Sequence, residues 1–282
     1  MIGTLSSNSI KLGQLTLVDG NPFFLIAGPC VIESEAHARM LAERVSRIAA
    51  DAGVPYIFKA SYDKANRSSV NSFRGPGLAE GLRILGRIRA DMKVPVLTDI
   101  HEPSHAAPAA EVADVLQIPA FLARQTDLLV AAGKTGRIIN IKKPQFVSPA
   151  DMKNAVEKVV STGNTKIILT ERGSSFGYQN LVVDFRAIPQ MKKFGYPLVF
   201  DATHSVQLPG GQGHSSGGQP EFIEPLARAA VAAGVDGLFL ETHDNPAAAL
   251  SDGANALPLA QLPALLARMK ELSTLVRRWD NA

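Results

Sequence analysis

Lys59, Lys64 and Arg67 fall within nine positions of each other, accompanied by Asn66, Ser68 and Ser69, directly behind the apolar run 54–58. Arginine offers a planar fork of donors, lysine a mobile point charge, and serine or asparagine short hydrogen bonds. Together they suit the binding of a phosphate. Taken alone, the stretch is also readable as a solvated basic turn, so its meaning depends on what the rest of the chain brings beside it. Polar or ionisable groups recur at the ends of further apolar runs: Asp99 with His101, Gln117, Asn140 with Lys142, Thr170 with Arg172, His204 and Glu241. A second constellation is a set of metal-ligand types, Cys30, His204, Glu241 and Asp252. A thiolate, an imidazole and two carboxylates suit a borderline divalent ion such as Zn, Fe(II), Mn or Co better than Ca. The four are far apart in sequence, and on spacing alone Cys30 reads first as a small buried hydrophobe.

The elements that must position these groups are legible from periodicity. Apolar runs recur at 23–27, 56–58, 94–97, 115–118, 138–141, 167–169, 198–200 and 238–240, each followed by a polar residue. Helical spacing separates them. Ser34 stands where an N-cap belongs, followed by Leu41, Val45, Ile48 and Ala52 and then Gly53. Ser148-Pro149 reads as a cap with a first-turn proline ahead of Met152, Val156 and Val159. Leu262, Leu265, Leu266, Met269, Leu272 and Val276 mark the last helix. Continuously apolar strands need cover on both faces and parallel neighbours need crossovers, so the pattern predicts a (β/α)8 barrel. An open doubly wound sheet is the alternative, disfavoured by the count of eight and by the lack of a Gly-x-Gly-x-x-Gly turn after the first strand. Residues 1–22 read as an accessory N-terminal hairpin, with a turn at Asp19-Gly20-Asn21-Pro22, and residues 23–282 as the barrel.

Strand parity assigns faces. In Ile139-Asn140-Ile141-Lys142 the isoleucines must meet the helices, which turns Asn140 and Lys142 inward and Lys143 away. The same argument turns Thr170 and Arg172 inward, and sets Lys59, Ser61, Asp99, His101, Gln117, His204 and Glu241 near the C-terminal strand ends. Barrel enzymes keep their active sites on that face. The expectation is a polar, net cationic floor.

Composition bounds the function classes. The 282 residues are 46% hydrophobic and 20% charged, enough for a large core in a soluble globular protein. The net charge of +3 is not gathered into a Lys/Arg run, so small anions are expected as partners and nucleic acid is not. No apolar stretch is long enough to span a bilayer, and residues 1–10 lack the pattern of a signal peptide, which makes cytoplasm the expected location. With one cysteine there is no internal disulfide.

Longer motifs carry a resemblance: Lys64-Ala-Asn-Arg-Ser-Ser69, Phe73-Arg-Gly-Pro-Gly77, Gln117-Ile-Pro-Ala-Phe-Leu-Ala-Arg-Gln-Thr-Asp127, Asn140-Ile-Lys-Lys-Pro-Gln-Phe146, Thr170-Glu-Arg-Gly173, Phe176-Gly-Tyr178, Asn180-Leu-Val-Val-Asp184 and Asp201-Ala-Thr-His204. From about Phe24 to Leu272 the chain resembles the 3-deoxy-D-manno-octulosonate 8-phosphate synthase family. That resemblance implies condensation of phosphoenolpyruvate with D-arabinose 5-phosphate and water, releasing phosphate, in cytoplasmic lipopolysaccharide biosynthesis. It implies that Lys59, Lys64, Gln117, Lys142 and Arg172 hold phosphoenolpyruvate, that Asn66, Arg67 and Ser68 hold the pentose phosphate, and that Arg124 reaches in from a neighbouring subunit of a homotetramer. Lys64, Asp99, Lys142 and His204 are the candidate catalytic groups. A synthase of the same type taking erythrose 4-phosphate or an amino sugar is the alternative, against which Lys-Ala-Asn-Arg-Ser-Ser speaks. The family has a metal-dependent branch and a metal-free branch with Asn at the cysteine position. Gly28-Pro-Cys30, Asp201-Ala-Thr-His204, Glu241-Thr-His243 and Ser251-Asp252 resemble the former, with Cys30, His204, Glu241 and Asp252 as ligands. The Gly-rich stretch ending the loop 205–218 reads as a mobile lid or as a surface loop.

Overall fold

The computed structural model describes residues 9–13, 15–18, 23–67, 69–209 and 217–280. Eight strands, β1 (Phe24–Gly28), β2 (Tyr56–Lys59), β3 (Val96–Asp99), β4 (Val115–Ile118), β5 (Ile138–Lys142), β6 (Ile167–Glu171), β7 (Leu198–Asp201) and β8 (Gly237–His243), contain or overlap all eight predicted apolar runs. Between and after them lie α1 (Glu35–Ala52), α2 (Leu78–Met92), α3 (Ala106–Val112), α4 (Thr126–Lys134), α5 (Met152–Val160), α6 (Ala187–Lys192), α7 (Ile223–Ala232) and α8 (Leu262–Asp280). Each strand pairs in parallel with the next, and β8 pairs with both β7 and β1. The sheet therefore closes into a (β/α)8 barrel.

Alternation along each strand sorts its apolar side chains between two cores. Leu25, Phe58, Leu116, Ile139, Ile141, Leu169 and Leu240 join the layer between sheet and helices. Phe24, Ile26, Ile57, Leu97, Val115, Ile138, Ile168, Val199 and Phe239 fill the interior. Ile10, Leu12 and Leu17 complete that inner cluster from an antiparallel hairpin, Ile10–Leu12 against Leu15–Leu17. The hairpin thus supplies apolar cover to the interior, and the predicted turn at 19–22 lies outside the described residues. Full burial of each such side chain contributes about 1.5–3 kcal/mol. A slip of one residue would exchange the two cores, so the buried alternation locks the register that aims Asn140 and Lys142 inward.

Local signals behave as expected at α1, where Ser34 Oγ accepts from the His37 N–H at 3.1 Å and Gly53 closes the helix at φ 61°. At α5 the expectation is corrected. Ser148 Oγ accepts from the Asp151 N–H at 3.2 Å and closes a preliminary turn through Pro149, so the helix begins at Met152 with Asp151 as its N-cap. Two short antiparallel pairs, Ser174–Ser175 with Leu181–Val182 and Gln207–Leu208 with Gly217–Gly218, decorate the loops after β6 and β7.

Gly28 ends β1 where the backbones of β1 and β2 nearly touch. A Cβ there would lie 2.0 Å from the Lys59 carbonyl oxygen, a backbone atom that cannot swing away. Gly28→Ala is therefore expected to lower unfolding free energy by about 3 kcal/mol. The urea midpoint measures this, and an unchanged midpoint would contradict the close contact.

Candidate active site

A chain of hydrogen bonds crosses the barrel at the C-terminal strand ends. Thr170 Oγ1 donates to Asn140 Oδ1 (2.7 Å), Asn140 Nδ2 to Gln117 Oε1 (2.8 Å), and Gln117 Nε2 to Asp99 Oδ1, while Ser61 Oγ donates to Asp99 Oδ2. All five residues are at least 95% buried. The chain orients Gln117 and fixes the amide assignments, since a flip of either amide would set acceptor against acceptor.

Above this floor stand the cations, each facing a carboxylate. Lys59 Nζ donates to Glu241 Oε1 at 2.5 Å and to the carbonyls of Cys30 (2.8 Å) and Pro29 (3.2 Å). Lys64 Nζ lies 3.7 Å from both Asp99 and Glu241. Lys142 Nζ donates to Asp201 Oδ2 at 2.6 Å and sits 3.7 Å above the centre of the Phe239 ring. His204 Nδ1 shares the same Asp201 oxygen at 2.7 Å. The expected net cationic floor is thus corrected to a paired one, because burying unpaired lysines would cost far more than burying them with partners.

The pairing sets the ionisation states. Burial works against the charge of Asp99, but Lys64 and Lys59 outweigh it and hold the carboxyl well below the usual range. Glu241 is likewise held low despite burial, by Lys59, His204 and Lys64. Asp201 is held low against burial by His204 and Lys142. Burial pulls Lys142 below the ordinary lysine value, with Asp201 opposing. For Lys64 burial is outweighed by Cys30, Glu241 and Asp99, and its pKa rises.

Arg172 is the exception to the pairing. Its Nη2 donates to Gln207 Oε1 at 3.1 Å, while the buried Nη1 has no acceptor among the described residues. Burial lowers its pKa, with Asp201 and Glu171 opposing. Lys143 points away as parity requires, donating to the carbonyls of Pro144 and Gly173 at 3.1 Å and lying 3.6 Å from Glu171. It ties together the loops that carry Lys142 and Arg172. Lys64, Asn66, Gln117, Lys142, Arg172 and His204 all line one cleft of about 200 Å³. Arg67 reaches the loop after β8, donating to Ser251 Oγ and lying 3.4 Å from Asp252 Oδ1. Arg124 is exposed and does not line its own chain's cleft. Ser68 and residues 210–216 of the loop 205–218 lie outside the described residues.

The metal-ligand candidates partly converge. Cys30 Sγ and the carboxylates of Glu241 and Asp252 have ligand atoms within 4.8 Å of one another, and His204 Nε2 stands 3.6 Å from Glu241 Oε2. The Cys30 thiol donates to Asp252 Oδ2 at 3.2 Å and touches Ser251 Oγ at 2.8 Å. Burial, then Asp252 and Glu241, push the thiol pKa well up. A thiol beside two carboxylates is badly placed to ionise alone and well placed to ionise onto a divalent cation, so the donor set fits such an ion.

Sequence reasoning quoted Asp201 within its motif without giving it a role, although it joins Lys142 to His204. Ser251 likewise stands in a motif without a role, and Phe239, whose ring face supports Lys142, is given none, although strand parity places it on the same face as Glu241. The spacing His101-Glu102-Pro103-Ser104-His105 imitates a zinc-helix motif. It falls on a loop and a single 3-10 turn, where His105 Nδ1 bonds the Tyr62 hydroxyl at 2.9 Å.

Comparison with known proteins agrees with this geometry. Residues 7–278 match the model of the DAHP synthetase I family. The chain is 60% identical over 277 residues to the 2-dehydro-3-deoxyphosphooctonate aldolase of Trichlorobacter lovleyi, covering 98% of this chain and all of the relative. It is 58% identical over 271 residues to the protein of that name in Geobacter metallireducens and 56% identical to that of Geobacter sulfurreducens, each covering 96% of this chain and all of the relative. With the barrel, the floor and these matches agreeing, the chain belongs to the DAHP synthetase I family, among its 2-dehydro-3-deoxyphosphooctonate aldolases.

Proposed function

We propose that this chain condenses phosphoenolpyruvate with D-arabinose 5-phosphate and water to give 3-deoxy-D-manno-octulosonate 8-phosphate and inorganic phosphate. The observation that carries this reading is the cleft itself, which buried Arg172, whose Nη1 has no acceptor among the described residues, lines together with Lys142 and Gln117 above a fixed polar floor. Such a cradle suits a ligand with both a phosphate and a carboxylate, held in register by point charges and an arginine fork. Lys59, Lys64, Gln117, Lys142 and Arg172 hold phosphoenolpyruvate, with C3 toward the aldehyde of the pentose. Asn66, Arg67 and Ser68 hold the pentose phosphate at the mouth.

As the C3–C1 bond forms, the aldehyde oxygen gains charge and takes a proton, and water adds at C2. The adduct then expels phosphate by C–O cleavage. Lys142 Nζ, Asp201 Oδ2 and His204 Nδ1 are linked through contacts of 2.6 and 2.7 Å, a path along which a proton can pass to the new hydroxyl. Gln117 and Asp99, locked by the floor, keep the reacting carbons in place. Cys30, His204, Glu241 and Asp252 would hold a divalent ion, of the Zn, Fe(II), Mn or Co type, as in the metal-dependent branch. When bound, that ion supplies Lewis acidity toward the aldehyde or water.

A homotetramer in the cytoplasm, serving lipopolysaccharide biosynthesis, completes the reading. The exposure of Arg124 and of Phe121 (53%), beside the cleft, supports a neighbouring subunit closing over the mouth. Among the described residues no helix is long and apolar enough to cross a membrane.

Phosphate release with phosphoenolpyruvate and competing aldehydes tests the proposal. Turnover with arabinose 5-phosphate far above that with erythrose 4-phosphate is the expected result; the reverse would favour the alternative synthase. Arg67→Ala should raise KM for arabinose 5-phosphate far more than for phosphoenolpyruvate, because a charge-assisted contact is lost from one substrate only, costing about 1.5–3 kcal/mol. Equal weakening of both would contradict the assignment of Arg67.

A further inference from the structure

Behind the cleft, outside its lining, two histidines and two carboxylates meet where the loops after β1 and β8 touch the start of α1. We propose that Glu33, His37 and His243, backed by Asp244, form a second divalent-cation site that takes a transition ion such as Zn(II). One ring nitrogen from each histidine and one Glu33 oxygen lie within 4.8 Å of one another. His243 Nε2 is 3.4 Å from Glu33 Oε1, and His37 Nδ1 is 3.9 Å from Glu33 Oε2. Ligands about 2.0–2.2 Å from one tetrahedral ion are separated by about 3.3–3.6 Å, close to these spacings.

The independent observation is that both facing nitrogens are buried and have no hydrogen-bond partner among the described residues, His243 being only 6% exposed. His37 Nε2 bonds Asp244 Oδ1 at 2.9 Å. That bond keeps the ring proton on Nε2 and turns the Nδ1 lone pair toward a carboxylate, a juxtaposition of two acceptors that a cation between them resolves. His243 Nδ1 accepts from the Asn245 N–H at 3.0 Å and lies 3.2 Å from Asp244 Oδ1. Ligation through Nε2 moves its proton to Nδ1, where Asp244 replaces Asn245 as the partner. Asp244 then orients both imidazoles, as carboxylates behind metal-bound histidines do. Two imidazoles and a carboxylate select zinc-like ions over Ca or Mg.

The site would brace the active centre. Glu33 follows Cys30 by three residues, His243 follows Glu241 by two, and the Leu250 N–H, two residues before Asp252, donates to Glu33 Oε1 at 2.8 Å. An ion here clamps together the three segments that carry Cys30, Glu241 and Asp252, without touching substrate.

The test is zinc content per chain, measured by elemental analysis after chelator stripping and dialysis against buffered free zinc. The proteins compared are wild type, Cys30→Ala, His37→Ala and the double variant. His37→Ala is expected to remove one equivalent in both the wild-type and the Cys30→Ala background. Glu33→Gln, which retains the acceptor for Leu250, is expected to do the same, and circular dichroism establishes that each variant is folded. Zinc content unchanged by His37→Ala and Glu33→Gln overturns the proposal. A loss caused by Cys30→Ala alone overturns it while leaving the active-site ion standing, whereas a loss caused by His37→Ala alone supports it and counts against the ion at Cys30.

Discussion

Arg172→Ala is expected to lower kcat/KM for phosphoenolpyruvate by about 10²–10³-fold while leaving the stability of the barrel within about 1 kcal/mol of wild type. The asymmetry follows from its surroundings. One arm of the guanidinium bonds Gln207, the other has no acceptor among the described residues, and no carboxylate pairs with it directly. Removing it therefore deletes a donor aimed at the cleft without orphaning a buried anion. Lys142→Ala should lose as much activity, yet at a cost in stability, because Asp201 is completely buried and loses its 2.6 Å partner. Breaking such a pair typically costs about 3–5 kcal/mol, reduced here because His204 and Thr203 still donate to Asp201. Steady-state kinetics with urea unfolding of both variants separates the effects. An Arg172→Ala enzyme that binds and turns over phosphoenolpyruvate normally would remove Arg172 from the site.

If Cys30, His204, Glu241 and Asp252 hold a divalent ion as proposed, stripping it is expected to depress turnover about 10³-fold or more, with recovery on adding Zn, Mn, Fe(II) or Co at rates that differ with Lewis acidity and geometry. Cys30→Ala should lose metal and activity together. Cys30→Asn is the more telling change. In the structure the thiol touches Ser251 Oγ at 2.8 Å and donates to Asp252 Oδ2 at 3.2 Å. An amide can keep both contacts and, being neutral, avoids the repulsion that Asp252 and Glu241 impose on a thiolate. Cys30→Asn is thus expected to bind metal poorly and to retain some activity that chelators no longer suppress. Wild-type protein verified by elemental analysis to be free of metal and still working at full speed would sink the reading.

Much of this was determined by the sequence alone. Burial on both faces demands apolar runs, and a closed parallel sheet demands crossovers, so the eight strands, the alternation of strand and helix and the inward parity of Asn140, Lys142, Thr170 and Arg172 were written in the periodicity. Lys-Ala-Asn-Arg-Ser-Ser and its companion motifs carried the family resemblance, while the residues of that stretch by themselves pointed only to an anion. What only the tertiary structure decided is which groups meet across strands. Asp201 bridges Lys142 to His204, Lys59 neutralises Glu241, and Phe239 lies beneath Lys142, pairings between residues 59 or more positions apart in all but the Asp201–His204 contact. Sequence parity told which side chains enter the barrel and not how far around it they sit, so it foresaw a cationic floor where desolvation had imposed a paired one. The capping signal at Ser148 misled for a related reason: a serine hydroxyl satisfies whichever N–H three residues on is nearest, and whether that turn continues as helix is settled by packing against the sheet.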